Sequence, residues 1–179
     1  MFSLKFVENQ IVNQMKLLQI FSFLSIIILS SCISTNKNKT TPEKKDLVFH
    51  SSKLERKKNA PFSDAVEVGN TLYLAGQVGI NPTTGKLPEG GIEAETRQTL
   101  ENIKEVLKLH GSDLEHVVKC TVILSTTDDF ADFNKIFREY FPKNKPARTT
   151  FAAGLLVGAK IEIDVIAVKA DGFKDARVN

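Results

Sequence analysis

The stretch "AKIEIDVIAVKA", residues 159–170, alternates: Ile161, Ile163, Val165 and Ala167 fall on one side, Glu162, Asp164, Ile166 and Val168 on the other. A period of two marks a β-strand with one buried face. The second side turns from acidic to apolar along its length, so its acids are either solvated at a sheet edge or held in a cleft. Just upstream, "KPARTTFAAG" (145–154) reads as another strand, with Arg148 set in a run otherwise suited to burial. Arginine is rarely fully buried without a partner, and its planar fork suits a carboxylate held by two parallel hydrogen bonds. From the residues alone, Arg148 is either a paired structural arginine or a grip for an acid from outside the chain.

Working outward, "DAVEV", Gly69-Asn70 and "TLYLAGQ" (64–77) read as a β-hairpin around a tight turn. A long Gly- and Pro-marked loop, "VGINPTTGKLPEGG", follows. Residues 92–110 fit an amphipathic helix with Ile92, Thr96, Leu100, Ile103 and Leu107 on one face and Val106 beside them. "HVVKCTVIL" (116–124) reads as a buried strand. "TTDDFADFNKIFREYF" (126–141) fits a second helix, with Thr127 as a possible cap, Pro142 as its stop and a stripe of Phe130, Phe133, Phe137 and Tyr140 for the core. The order β-β-α-β-α-β-β predicts an α+β domain. Each helix carries a single apolar stripe, so both should back one face of one sheet. The sheet's other face keeps apolar residues, which predicts association with further copies.

The chain has 179 residues and a formal net charge of +3. That charge is unevenly placed. Residues 32–58 are strongly basic, whereas residues 59–179 hold more acids than bases. A nucleic-acid face needs clustered Lys and Arg on the folded domain, and none is evident, so no nucleic-acid partner is expected. The three histidines are scattered and no metal-ligand spacing occurs, so no metal site is expected. Residues 15–32, "MKLLQIFSFLSIIILSSC", run from Lys16 through an apolar core to small residues and Cys32. This order resembles a bacterial lipoprotein signal, with Met15 as a possible true start. It predicts a signal over 1–31, a lipid on Cys32 and a disordered basic tether over 32–58. The folded domain is expected over 59–172 and a tail over 173–179. Ile33 after the cysteine leans toward the outer membrane, facing the periplasm. Cys120, in its apolar run, reads as a small buried hydrophobe.

The pieces "APFSDAVEVGNTLYLAGQVGINPTTGKL", "ETRQTLENIKEVL", "DFADFNKIFREYF", "PARTTF" and "KIEIDVIAV" together resemble the reactive intermediate deaminase family (RidA/YjgF). The pairing of Pro146-Ala147-Arg148 with Ile161-Glu162-Ile163 is specific where neither half would be. The resemblance implies a chorismate-mutase-like fold and a homotrimer with clefts between neighbouring subunits. It implies hydrolysis of 2-imino and 2-enamino acids to 2-oxoacids and ammonia, without a cofactor. In that light Arg148 matches the arginine that grips the substrate carboxylate, and Glu162 the carboxylate that assists the attacking water. Gly76 matches a glycine whose N–H lies near the substrate, and Asn134 an asparagine near the cleft.

The lining departs from the family pattern in three places. Phe62 stands where a tyrosine is common, Ala75 where a serine is frequent, and Thr150 where a cysteine is frequent. Two hydroxyls are therefore missing around a retained arginine and carboxylate, which bears on substrate preference. A non-catalytic binder of small carboxylic acids is the alternative reading, and an endoribonuclease the third.

Overall fold

The computed structural model describes residues 46–171. In chain order these form β1 (Leu47–His50), β2 (Ala65–Val68), β3 (Thr71–Leu74), β4 (Gln77–Val78), α1 (Gly91–Leu109), β5 (Val117–Leu124), α2 (Phe130–Tyr140), β6 (Ala147–Ala152) and β7 (Ile161–Val168). One sheet takes every strand, in the order β1-β2-β3-β7-β5-β6, with the short β4 also paired to β7. All pairs are antiparallel except β5 with β6. A parallel pair needs a crossover, and α2 supplies it.

The alternation that opened the sequence places β7 at the hub. Ile161, Ile163, Val165 and Ala167 are at most 1 % exposed. The intervening residues are only half covered. The buried side meets α1, whose Ile92, Thr96, Leu100, Ile103, Val106 and Leu107 are all buried, as the helical period predicts. Burying such side chains contributes roughly 1.5–3 kcal/mol each. α1 stops at Leu109, just before Gly111 takes a left-handed φ of 76° and Ser112 N–H donates to Leu107 O. The α+β arrangement of one sheet and two helices is as expected.

Details differ where tertiary contacts intervene. Thr127 caps no helix: it opens a 3-10 turn, Thr127–Asp129, that leads into α2, and the cap of that turn is Thr126, whose Oγ1 accepts from Asp128 N–H at 3.3 Å. In the aromatic stripe, Phe133 and Phe137 are buried and joined by Ile136, but Phe130 is 45 % exposed because it lies over the rim of a cleft beside β6. Part of the stretch expected as a disordered tether, 32–58, is ordered. Residues 47–50 form β1, with Leu47 opposite Val68 and His50 opposite Ala65. A 3-10 turn follows at Glu55–Lys57. The basic composition hid the short run "LVFH", which pairs with the otherwise open edge of β2. The expected signal, Cys32, the first part of the tether and the tail lie outside the described residues. Among the described residues no helix is long and apolar enough to cross a membrane.

The face of the sheet away from the helices is uncovered. Register puts Phe49, Val66, Tyr73 and Ile166 in one row across it, and Phe151, Ile123 and Glu162 in another. Phe49, Tyr73 and Phe151 are exposed.

Candidate active site

Arg148 lies opposite Cys120 of β5, so its side chain turns to the helix side of the edge strand β6. There α2 receives it. Its Nη2 donates to Asn134 Oδ1 at 2.7 Å, and its guanidinium carbon stands 5.0 Å from the Phe133 ring centre and 4.7 Å from that of Phe137. The rings attract the cation and fix its plane. Burial pushes its pKa below the usual guanidinium value, with the nearby Arg138 adding to the effect. No ion pair to Arg148 occurs among the described residues, so this half-buried cation has only a neutral hydrogen-bond partner. A cleft of about 410 Å³ opens in front of it, lined by Asn134, Phe137, Arg138, Phe141, Lys145 and Pro146. A second, of about 290 Å³, runs along β6 past Phe130 and Thr150. The Thr150 hydroxyl is buried without a hydrogen-bond partner among the described residues. The sequence thus named Arg148, Asn134 and Thr150, and the fold gathers all three.

The second group forms where the chain breaks between β3 and β4. Glu162 folds its carboxylate against Gly76: a Cβ on that glycine would come within 3.0 Å of the carboxyl carbon and closer still to Oε1. Only glycine permits that approach. The break is held from behind. Ala75 N–H donates to Asp64 O at 3.0 Å, and Gln77 Nε2 donates to Ala75 O at 3.2 Å. Lys57 Nζ then donates to Asp64 Oδ1 at 3.0 Å and to Gln77 Oε1 at 3.3 Å. Asp64 and Gln77 are both buried. Sequence reasoning missed this trio. Gln77, a polar residue ending the run "LYLAGQ", was the available signal, whereas Lys57 gave none. Phe62, 54 % exposed, sits two residues before Asp64.

The two groups are not brought together within one chain. Glu162 pairs with Val78 and Ile123 on the uncovered face, whereas Arg148 lies beneath the sheet with the helices. At about 4.8 Å between strands and 3.3 Å per residue, their Cα atoms stand about 14 Å apart, with the sheet between their side chains. Gly76, Ala75 and Glu162 form one group; Arg148, Asn134 and Thr150 form the other. Asp164 shares the uncovered face with Glu162 and lies opposite Thr121. Among the described residues no group of three or more His, Cys, Asp or Glu is placed to hold a metal ion.

A family model described as endoribonuclease L-PSP matches residues 53–169. The chain belongs to this family, the RidA/YjgF group. It is 43 % identical over 115 residues to the mouse 2-iminobutanoate/2-iminopropanoate deaminase, a match spanning 64 % of this chain and 85 % of the relative. The crystal structure of the yeast protein YEO7 superposes with a TM-score of 0.65 at 34 % identity, covering 69 % of this chain and 99 % of that one. E. coli TdcF, crystallised with bound serine, matches with a TM-score of 0.59 at 28 % identity, over 62 % of this chain and 90 % of its own.

Proposed function

We propose that this protein hydrolyses 2-imino and 2-enamino acids to 2-oxoacids and ammonia, as a homotrimer whose sites form between neighbouring copies. The observation that carries the reading is Arg148, clamped on two aromatic rings with a neutral amide as its hydrogen-bond partner. Such a guanidinium takes a substrate carboxylate through two parallel bonds and so fixes its plane. Glu162 of an adjacent copy then faces the reacting carbon. Water adds to the iminium carbon and loses a proton to that carboxylate while the C=N electron pair moves to nitrogen. The carboxylate returns the proton to nitrogen, the C–N bond breaks as the hydroxyl O–H electron pair forms the C=O of the 2-oxoacid, and the hydroxyl proton leaves on ammonia as ammonium. Iminium carbon is already electrophilic, so orientation and water delivery are the main requirements. The deaminase name of the mouse relative and the amino acid bound to TdcF support this substrate class.

Assembly is supported by the uncovered sheet face and by the loop between β6 and β7. Leu156 is 82 % exposed there, and Val157 holds a φ of 55°, unfavourable for a β-branched residue. A contact made by another copy would account for both. A second reading, a carboxylic-acid binder without turnover, is favoured by Phe62 and Ala75, which stand where family members often carry a hydroxyl. Cleavage of RNA has less support, since no histidine lines either cleft beside Arg148. From residues 15–32 we also propose that Cys32 carries lipid and tethers the domain to the outer membrane, facing the periplasm. Unchanged size and membrane fractionation in Cys32→Ser would overturn that.

The test of function follows 2-oxoacid and ammonia release from an imino acid generated in situ by an amino-acid oxidase. Acceleration by wild type that Arg148→Ala loses is the expected result. Binding of a stable 2-oxoacid without any acceleration would leave the binder reading.

A further inference from the structure

The cleft in front of Arg148 holds more positive charge than one carboxylate requires. Arg138 and Lys145 line it together with Arg148, and no acid does. Neither has an ion-pair partner among the described residues. The neighbouring acid, Glu139, is committed through both oxygens to Arg97, at 2.6 and 3.0 Å. The exposed Lys135 of the same helix, by contrast, is paired with Glu93 at 2.8 Å. The surplus is therefore local to the cleft.

Its placement is regular. Asn134 and Arg138 are four residues apart and share a face of α2, one turn or about 6 Å along the axis. Asn134 bonds Arg148, so Arg138 stands about one turn beyond the point where a substrate carboxylate would dock. Phe137 and Phe141 provide an apolar wall beside the same cleft. In the proposed assembly, the substrate carboxylate and the neighbouring copy's Glu162 supply two negative charges against three side-chain cations and the substrate's own iminium. Positive charge therefore remains to be matched.

We infer that the site selects 2-imino diacids of four or five carbons, with the second carboxylate on Arg138 and Lys145. The terminal carbons of a five-carbon diacid stand about 5 Å apart at ordinary bond lengths, close to the turn spacing of the helix. The inference rests on the deaminase reading for its reaction, but its charge selectivity can be measured apart from turnover.

The experiment compares kcat/KM for imines generated from aspartate or glutamate with those from alanine or 2-aminobutanoate. Wild type is expected to favour the diacids by about tenfold or more, and Arg138→Gln with Lys145→Gln to lower that ratio about tenfold. A wild-type ratio near one, or a ratio unmoved by the double substitution, overturns the inference. If no imine is turned over, calorimetric titration with 2-oxoglutarate and 2-oxobutanoate decides. Tighter binding of the diacid that the double variant loses sustains the selectivity while removing the deaminase reading. Equal binding of the two acids removes the selectivity.

Discussion

Arg148 and Glu162 lie on opposite faces of one sheet, the first under its edge strand and the second on its uncovered side. If both act on one substrate, they must come from different copies. Arg148→Ala and Glu162→Gln should each be inactive alone, yet equal amounts mixed through unfolding and refolding should regain activity at about a quarter of the sites. No recovery in mixtures that form intact oligomers would refute the shared site.

Gly76→Ala separates folding from function. The obstacle to the new methyl is the end of the flexible Glu162 side chain, so the chain can fold by moving it. Stability should change by less than about 1 kcal/mol while activity falls at least tenfold. Glu162→Gln added to Gly76→Ala should then cost little more, which steady-state kinetics on the double variant would check.

Lys57→Met removes the cation between Asp64 and Gln77 and leaves a buried carboxylate unpaired. Denaturant unfolding should show a loss of about 3 kcal/mol. Adding Asp64→Asn should recover part of it, because the uncompensated charge is then gone. A surface role for Lys57 would give no such pattern.

His110 stacks on His50 with ring centres 4.1 Å apart, and His50 bonds Glu67 at 3.1 Å. Burial, then the charge of His50, holds the His110 pKa below its usual value. The unfolded chain therefore takes up a proton at His110 before the folded one does. Stability should fall as pH drops below about 6.5 and continue falling to the folded pKa. Glu67, whose pKa is lowered chiefly by its bond from Lys169, adds a loss at lower pH, beginning near ordinary carboxylate values. Thermal midpoints of His110→Gln should decline less steeply than wild type between pH 7 and 5.

The Cys120 thiol is fully buried, and burial pushes its pKa up to about 12 against an opposing effect from Arg148. It should resist alkylation at pH 8 until the chain unfolds. Mass spectrometry of the Cys120 peptide, with and without denaturant, reads this directly.

The sequence was most legible where structure is local. Alternation in residues 161–168 named the buried side of β7, and the period of Ile92, Thr96, Leu100, Ile103 and Leu107 named the buried side of α1. Motif resemblance singled out Arg148, Glu162, Gly76 and Asn134. It implied clefts between neighbouring subunits, but not which of these residues lie on which face of the sheet. β1 and Lys57 were lost to a basic composition, because their partners, β2 and the Asp64–Gln77 pair, act across turns and strands rather than along the chain.

What the sequence by itself determined is therefore the main elements from residue 64 onward, their inward faces and the candidate residues for gripping an acid. These follow from periods of 2 and 3.6, which adjacent residues set. Only the tertiary structure decided that β7 lies between β3 and β5, and that β6 runs parallel to β5 at the edge. That strand order turns Arg148 toward the aromatic side chains of α2 and Glu162 toward Gly76. The pairing of distant strands depends on the packing of the whole core, and no short stretch of sequence carries it.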